Sequence, residues 1–308
     1  MNQTLITGYV NPDLDGVASM IGYAEFLLKI GRQAEPGISG EPHDEAKYLL
    51  DRFKINYPPA ISNTDKYEKI ILVDSSDLNG LEGKVDPAKV IEIIDHRQIH
   101  EADKFPNAKV QIELVGAAAT LIGEKFRENK IAISQEAAIL IYGAIISNTL
   151  NFKGTLTTER DREMASWLKP LTRLDESFAK ELFLAKSDLS GAKLPERIAG
   201  DLAWFTFGDK KLGIAQIEII GVKELIKERE QEIIETLSKI KTEMNLDFIF
   251  QNNIDLEEGA NYFVASEEAA KKLLEEVLGV KFLGNVAKRE ELIMRKQIVP
   301  LLKAKLEE

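Results

Sequence analysis

Acidic and imidazole side chains follow three short apolar segments of this chain. Asp13 and Asp15 stand two residues apart in NPDLDG, Asp74 opens DSSD, and Asp95 and His96 belong to DHR. Carboxylate oxygens suit hard divalent cations such as Mg²⁺ and Mn²⁺, and imidazole suits Mn²⁺ as well. A cation held by such groups could lower the pKa of a bound water and grip phosphate oxygens.

The elements that must position these residues are predicted strands. Segments 3–9, 69–73 and 90–94 are short, apolar and rich in β-branched residues. Segment 17–29 follows the first of them and is predicted to be a helix, which gives the order of a parallel α/β unit. Ligands of open parallel sheets bind at the carboxyl ends of the strands. The three acidic segments are therefore expected to meet at one edge of one sheet.

Each of these residues also has an ordinary structural use. Asp13 or Asp15 could cap the helix predicted near residue 17, and Asp74 could be a turn residue. A lone His at a strand end, such as His96, is more often structural than a ligand. Three acidic strand ends at one edge favour a bound cation, because crowded like charges need a counter-ion.

Composition limits the classes of protein that this chain can be. Its 308 residues exceed one ordinary core, so two domains are expected. The net charge of −11 disfavours nucleic-acid polymers and anionic membranes as partners. Cys is absent, which excludes disulfides, zinc thiolates and thiol catalysis. No segment has the ~18 apolar residues of a membrane span and none resembles a signal peptide, so we expect a cytoplasmic protein.

A domain boundary is predicted near KSDLSGAKLP, which carries Ser, Gly and Pro as interdomain segments often do. We expect a first domain at 1–187, a linker at 188–195 and a second domain at 196–308. Further helices are predicted at 117–128 and 136–146. The second domain is predicted to be a smaller α/β domain with a mixed sheet, from strands at 202–207, 213–219, 247–252 and 262–265 and helices at 222–244 and 267–278.

Two polar segments could bind phosphate. The loop at 147–161 is rich in Thr and Asn, which could bind phosphate oxygens or the backbone of the loop itself. Arg295 and Lys296 stand together in MRKQIVP, and both residue types bind phosphate. A solvated basic patch is the ordinary alternative.

The order of these motifs resembles the DHH phosphoesterase superfamily. GYVNPDLD, VDSSD, DHR, SNT and RKQIVP follow one another as in the branch that contains the family II, manganese-dependent inorganic pyrophosphatases. Exopolyphosphatases and prune-type proteins belong to the same branch. The resemblance covers essentially the whole chain, including GIAQIE at 213–218. It implies an N-terminal parallel-sheet DHH domain and a C-terminal DHHA2-like domain that binds substrate.

The resemblance also implies roles for individual residues. Asp13, Asp15, Asp74 and His96 would be metal ligands, with Asp74 shared between two ions, and Asp95 would support His96 from behind. Asp13, Asp74 and Arg97 would act in catalysis. Phosphate would be bound by Arg97, Arg295 and Lys296.

The chain departs from the family pattern at several of these positions. The family has His where this chain has Tyr9 and Arg97, Asp where it has Asn148, and a substrate-binding Lys where it has Ala203. One basic residue of the last motif is replaced by Met294. Phenol is a poor ligand and an amide oxygen a weak one, so we expect Tyr9 beside the site and Asn148 as a weak ligand. One divalent ion, Mn²⁺ or Mg²⁺, is expected, and a second is expected to bind weakly or only with substrate.

The function implied is hydrolysis of a phosphoanhydride bond in pyrophosphate or a short polyphosphate. The DHR triplet resembles prune-type and some exopolyphosphatase members, which shifts weight away from a dedicated pyrophosphatase. Two alternatives stay open. One is a nucleotide phosphodiesterase, as in other DHH branches, and the other is a regulatory protein that binds phosphate or a nucleotide with turnover weakened by the replaced site residues. The expected partner is a small phosphorylated substrate. Relatives of this architecture often pair through an edge strand of the first domain, so a homodimer is one option.

Overall fold

Five parallel strands form the sheet of the first unit. They are β1 (Thr4–Thr7), β2 (Glu35–Pro36), β3 (Lys69–Val73), β4 (Val90–Asp95) and β5 (Lys109–Ile112). Their order is β2-β1-β3-β4-β5, and every pairing is parallel. Because β1, β3 and β4 are neighbours, the three acidic segments that follow them lie side by side, as the sequence predicted.

The computed structural model describes residues 4–78, 81, 84–97 and 100–307. Gln3, which was expected in the first strand, lies outside them. The chain divides into two units, Met1–Ala185 and Lys186–Glu308. The segment 188–195, expected as a linker, falls in the second unit, and its last three residues begin a helix, Lys193–Gly200.

Helices of the first unit pack against one another and around this sheet. They are α1 (Leu14–Lys29), α2 (Asp44–Phe53), α3 (Ala118–Glu128), α4 (Gln135–Asn148), α5 (Glu159–Thr172) and α6 (Phe178–Lys186). α4 is buried along most of its length, as its apolar sequence predicted. α1 begins at Leu14, three residues before the predicted start, because Asp13 supplies its N-cap.

The second unit is a mixed six-stranded sheet with helices on both faces. Its elements are α7 (Lys193–Gly200), β6 (Leu202–Phe207), β7 (Lys210–Ile219), α8 (Val222–Met244), β8 (Phe248–Asp255), β9 (Ala260–Val264), α9 (Glu268–Leu278), β10 (Phe282–Leu283), β11 (Val286–Arg289) and α10 (Arg295–Leu306). The strand order is β10-β11-β9-β8-β7-β6, and β7 with β8 is the parallel pair. Two apolar clusters cover its faces, one with α7 and α8 and the other with α9 and α10. The expected fold class is therefore confirmed.

Within the described ranges, no helix has both the length and the apolarity needed to cross a membrane.

A glycine at the end of β1 allows the acidic loops to approach each other. A Cβ atom on Gly8 would lie 2.7 Å from the Val73 carbonyl oxygen and 3.2 Å from Met20 Cε. Only a residue without a side chain fits, because the first of these atoms belongs to the neighbouring strand's backbone.

Gly8→Ala is therefore expected to lower the free energy of unfolding by about 1–3 kcal/mol, the usual cost of overpacking. Urea denaturation would measure it. Gly200→Ala is the matched control, because a Cβ there meets nothing within 4 Å. Equal stability of Gly8→Ala and the parent protein would contradict the close approach of β1 and β3.

Candidate metal centre

The loop after β1 is held by its own side chains. Asp13 is the N-cap of α1, and its Oδ1 accepts the Gly16 N–H at 3.0 Å. The backbone N–H of Asp13 donates to the Tyr9 hydroxyl at 3.0 Å. Asn11 has φ of 56° and accepts the Glu41 N–H at 3.0 Å, which fixes the turn. The capping role considered for Asp13 is thus real, and it leaves Oδ2 outside the cap.

Asp15 joins this loop to a distant helix. It is fully buried in the first turn of α1. Its two carboxylate oxygens accept the N–H groups of Ala118 and Ala119, each at 2.8 Å. The N-cap residue of α3, Ala117, makes no capping bond with its own side chain, so Asp15 satisfies donors at the start of α3. The positive end of this helix favours the carboxylate and fixes its orientation.

Asn148, at the end of α4, donates from Nδ2 to Asp15 Oδ2 at 2.7 Å. A carboxylate only accepts hydrogen bonds, so the amide nitrogen must be the atom that faces it. In this arrangement Asn148 acts on Asp15 as a donor.

Asp74 and His96 bring their side chains to the same point. Asp74 adopts φ of 53°, a left-handed conformation that is uncommon outside glycine, directly after β3. Its backbone N–H still bonds to the Ile94 carbonyl at 2.8 Å. His96 Nε2 lies 3.4 Å from Asp74 Oδ1 and 3.7 Å from Asp15 Oδ2. Strained backbone conformations of this kind concentrate at functional sites.

The imidazole of His96 is oriented for metal binding. Its Nδ1 lies 2.9 Å from the Val115 carbonyl oxygen, which can only accept, so Nδ1 carries the proton. The lone pair of Nε2 then points toward two carboxylates, an arrangement that a cation between them stabilises. Asp15, Asp74 and His96 have ligand atoms within 4.8 Å of one another, and across the described part of the chain no other such group of three is found. One nitrogen and hard carboxylate oxygens suit Mn²⁺.

Asp95 supports the backbone beneath the imidazole. Its Oδ1 accepts the His96 backbone N–H at 2.7 Å, and its Oδ2 accepts the Ser76 hydroxyl. The side chain is fully buried. Asp95 therefore fixes the main chain at His96, whereas the ring itself rests on Val115.

Arg97 lies beside the triad, on the Tyr9 ring. Its Cζ is 5.2 Å from the ring centroid, a cation–π distance. Nη2 donates to the Asp74 carbonyl at 3.0 Å and Nη1 to Asp77 Oδ2 at 3.2 Å, while Nε is 3.8 Å from Asp95 Oδ2. The guanidinium thus brings a permanent positive charge to the back of Asp74.

Crowding of buried carboxyl groups alters their acidity. Burial raises the pKa of Asp74 to about 6, and the Asp13 charge adds to the rise while His96 and Arg97 oppose it. Burial and the Asp74 carboxylate raise the pKa of Asp15 well above its ordinary value, against the effect of the Ala119 N–H. Two buried acids beside an imidazole are expected at a site that binds a cation.

In the absence of metal, ionisation of Asp74 is expected to lower the free energy of unfolding as the pH rises from about 4 to about 6. The pKa of this carboxyl is 3.8 when exposed and about 6 in the fold, so the folded state binds more protons within that window. The free energy of unfolding therefore falls with rising pH. Bound Mn²⁺ is expected to cancel the loss, because it stabilises the carboxylate.

Thermal melts across this pH range, in EDTA and in Mn²⁺, would measure the effect. Asp74→Asn is the comparison, since its amide does not titrate. In EDTA, the free energy of unfolding of Asp74→Asn should rise relative to that of the parent as the pH rises from about 4 to about 6, because only the parent loses stability in this range. A constant difference would contradict the raised pKa.

The two phosphate-binding candidates of the second unit stand at the start of α10. The Arg295 guanidinium donates to the carbonyls of Asp201 and Ile214, the latter at 3.1 Å, and its backbone N–H donates to Gln216 Oε1 at 2.6 Å. Lys296 is exposed. Arg295 thus ties the start of α10 to β7 and to Asp201, the residue before β6.

Sequence reasoning missed a set of buried amides that holds this helix start. Asn252 and Asn261 both donate to the Ile293 carbonyl, at 3.1 and 2.8 Å, and Asn261 Oδ1 accepts the Ile293 N–H at 2.9 Å. Both are fully buried. The signal was present for Asn252, at the end of the strand predicted at 247–252, since amides at buried positions need specific partners.

The polar loop at 147–161 mostly satisfies its own backbone. The Thr149 hydroxyl donates to the Ile145 carbonyl and the Thr157 hydroxyl to the Gly154 carbonyl, each at 2.6 Å. Asp161 is buried and accepts the N–H groups of Gly116 and Thr158 at 2.8 and 2.7 Å. These bonds support the structural reading of the loop.

Comparison with known proteins agrees with this architecture. The model of the DHH family, N-terminal domain, matches residues 3–145, and that of the DHHA2 domain matches residues 180–305. The manganese-dependent inorganic pyrophosphatase of Bacillus subtilis (strain 168) is 33% identical over 306 residues, which cover 98% of each chain. That of Methanothrix thermoacetophila is 32% identical over 303 residues, 97% of each chain.

A solved structure extends the likeness to three dimensions. A Methanococcus jannaschii protein assigned to the family II inorganic pyrophosphatases superposes with a TM-score of 0.82 at 30% identity, over 99% of this chain and 100% of that one. Full-length identity, both domain types and the shared fold agree with the resemblance seen in the motifs. The chain therefore belongs to the family of manganese-dependent inorganic pyrophosphatases, built from a DHH and a DHHA2 domain.

Proposed function

We propose that this protein hydrolyses the phosphoanhydride bond of inorganic pyrophosphate or a short polyphosphate, with a divalent metal ion held by Asp15, Asp74 and His96. The observation that carries the proposal is the His96 imidazole, whose Nε2 faces two buried carboxylates while Nδ1 is fixed by Val115. The names of the relatives support pyrophosphate as substrate and Mn²⁺ as metal.

Each residue of the site has a task in this reaction. A bound divalent ion would lower the pKa of a water and hold phosphate oxygens. Asp13 keeps Oδ2 outside its cap, where it can accept a proton or meet a cation. Arg97 keeps N–H groups on both terminal nitrogens for phosphate, because its bonds to Asp77 and Asp74 use one on each. Its charge would stabilise the negative charge that develops during phosphoryl transfer.

The role of Asn148 follows from the orientation of its side-chain amide, whose nitrogen faces Asp15. Its amide donates to Asp15 and so holds the carboxylate that the metal needs. As a metal ligand it would have to turn its oxygen inward and give up this bond. We propose that Asn148 positions Asp15 in the resting site.

The remaining features of the proposal rest on the resemblance. Arg295 and Lys296 are proposed to bind phosphate, as the family's last motif does. The substrate is small, and the acidic chain is proposed to act in the cytoplasm without nucleic acid or membrane. A homodimer remains a prediction, and sedimentation would test it.

The test is phosphate release by metal-stripped protein given Mn²⁺, Mg²⁺ or Co²⁺, with pyrophosphate, tripolyphosphate and a dinucleotide as substrates. Turnover of pyrophosphate or tripolyphosphate that requires the metal is the expected result. Cleavage of the dinucleotide alone would replace the proposal with a phosphodiesterase. Metal binding without turnover of any substrate would replace it with a binding protein.

A further inference from the structure

Asp74 has two sides, and a different protein group lies toward each. On one side its Oδ1 faces His96 Nε2 at 3.4 Å, which is the candidate metal position. On the other side lie Gly16 and Tyr9: a Cβ on Gly16 would be 3.6 Å from Asp74 Oδ2 and 3.8 Å from Tyr9 Cε1. A second ion shared by Asp13 and Asp74 would have to sit on this other side.

Protein groups already occupy the Tyr9 side of Asp74. The Tyr9 hydroxyl accepts the Asp13 N–H at 3.0 Å, and a neutral phenol is a poor ligand for a hard cation. The Arg97 guanidinium packs on the Tyr9 ring and bonds to the Asp74 carbonyl at 3.0 Å. Arg97 is 33% exposed, so its outward N–H groups can meet an incoming anion.

Charge gives an independent argument. The permanent charge of Arg97 lies on the Tyr9 side of Asp74, where the guanidinium is 3.0 Å from the Asp74 carbonyl oxygen and 3.8 Å from Asp95 Oδ2. Asn148 is a neutral amide whose nitrogen donates to Asp15, so it adds no negative charge to the site. A second divalent ion on the Tyr9 side would be repelled by the Arg97 charge.

We propose that the Arg97 guanidinium, packed on Tyr9 beside Asp74, takes the place of a second divalent ion, so that this centre binds one divalent ion per chain. The inference rests on the proposed function for its substrate. A phosphate at this site would meet the metal on one side of Asp74 and a fixed guanidinium on the other.

The test is a count of bound Mn²⁺. Metal-stripped full-length protein is titrated with Mn²⁺, passed over a desalting column and analysed for metal, and electron paramagnetic resonance reports whether the ions are magnetically coupled. The parent protein is expected to retain about one uncoupled Mn²⁺ per chain, because its charge balances one ion. The triple variant Tyr9→His, Arg97→His, Asn148→Asp is expected to retain about two, with a coupled spectrum.

The outcomes separate the inference from the proposed function. Two coupled ions in the parent protein, or a folded triple variant that binds only one, would overturn the inference and leave the hydrolase intact. A parent protein that binds no Mn²⁺ would overturn the metal-dependent function itself.

Single variants keep the test decisive if the triple variant does not fold. Arg97→Met is expected to tighten the uptake of an additional Mn²⁺ at least about tenfold relative to Arg97→Lys, because only Met removes the nearby charge. Arg127→Met, on the far turn of α3, is the matched control and should leave binding unchanged. Equal uptake in the Met and Lys variants at position 97 would refute the role of the Arg97 charge.

Discussion

An Asp74→Asn variant is expected to lose at least about 10³-fold of the metal-dependent hydrolysis of pyrophosphate, because a neutral amide oxygen replaces a carboxylate ligand at a metal that activates water. Asp74 lies between the metal position at His96 and the Arg97 side of the site. Asn also tolerates the left-handed conformation of this position, φ of 53°, so the backbone should stay in place. Phosphate release at saturating Mn²⁺ measures the loss.

The same variant should make the metal-free protein more stable at neutral pH, since it removes one of several crowded buried charges. Asp74→Ala should lose as much activity, but it adds the strain of an Ala at positive φ, about 1 kcal/mol. Asp86→Asn is the matched control. Asp86 caps the short helical turn before β4, at the opposite end of that strand, and full activity is expected there. An active Asp74→Asn variant would refute the assigned site.

A His96→Ala variant is expected to weaken Mn²⁺ binding by at least about 100-fold and to reduce turnover at fixed metal by a similar factor, because the site loses its nitrogen ligand. The His96 ring lies 2.9 Å from the Val115 carbonyl oxygen through Nδ1 and faces the two carboxylates through Nε2. Calorimetric Mn²⁺ titration separates loss of binding from loss of folding.

His100→Ala is the control for this second variant. His100 is exposed, and its Nδ1 accepts the Ala102 N–H at 3.4 Å, outside the triad. Its removal should leave Mn²⁺ affinity unchanged. If His96→Ala retained the parent affinity, the metal would have to bind elsewhere, and the tautomer argument would fail with it.

The edge of the parallel sheet at which the candidate site lies could be predicted from the sequence, because the strands and the acidic residues after them are local patterns. Buried strands at 69–73 and 90–94 end in acidic residues, and parallel neighbours bring such ends together. The structure confirms the sheet and the convergence of Asp15, Asp74 and His96. What these residues do beyond metal binding depends on partners far away in the chain.

Long-range contacts explain what the sequence alone could not give. The Val115 carbonyl that fixes His96, and the Ala118 and Ala119 N–H groups on Asp15, are backbone atoms that any residue type would supply. The stacking of Arg97 on Tyr9 joins two positions that motif comparison treats as separate departures. Only coordinates show that they form one group.

The double use of Asp15 affects how sequences of relatives should be read. This carboxylate closes the start of α3 through bonds that span 103 and 104 residues, so its loss would damage the fold as well as the chemistry. A descendant that abandoned hydrolysis would still be under pressure to keep it. The described contacts of the His96 ring are one backbone carbonyl, at Val115, and the carboxylates of the metal position, so we expect this residue to change more readily once turnover ceased to matter. When genomes are screened for active and inactive members of this family, the residue at the position of His96 is therefore informative, whereas an aspartate at the position of Asp15 does not by itself indicate activity.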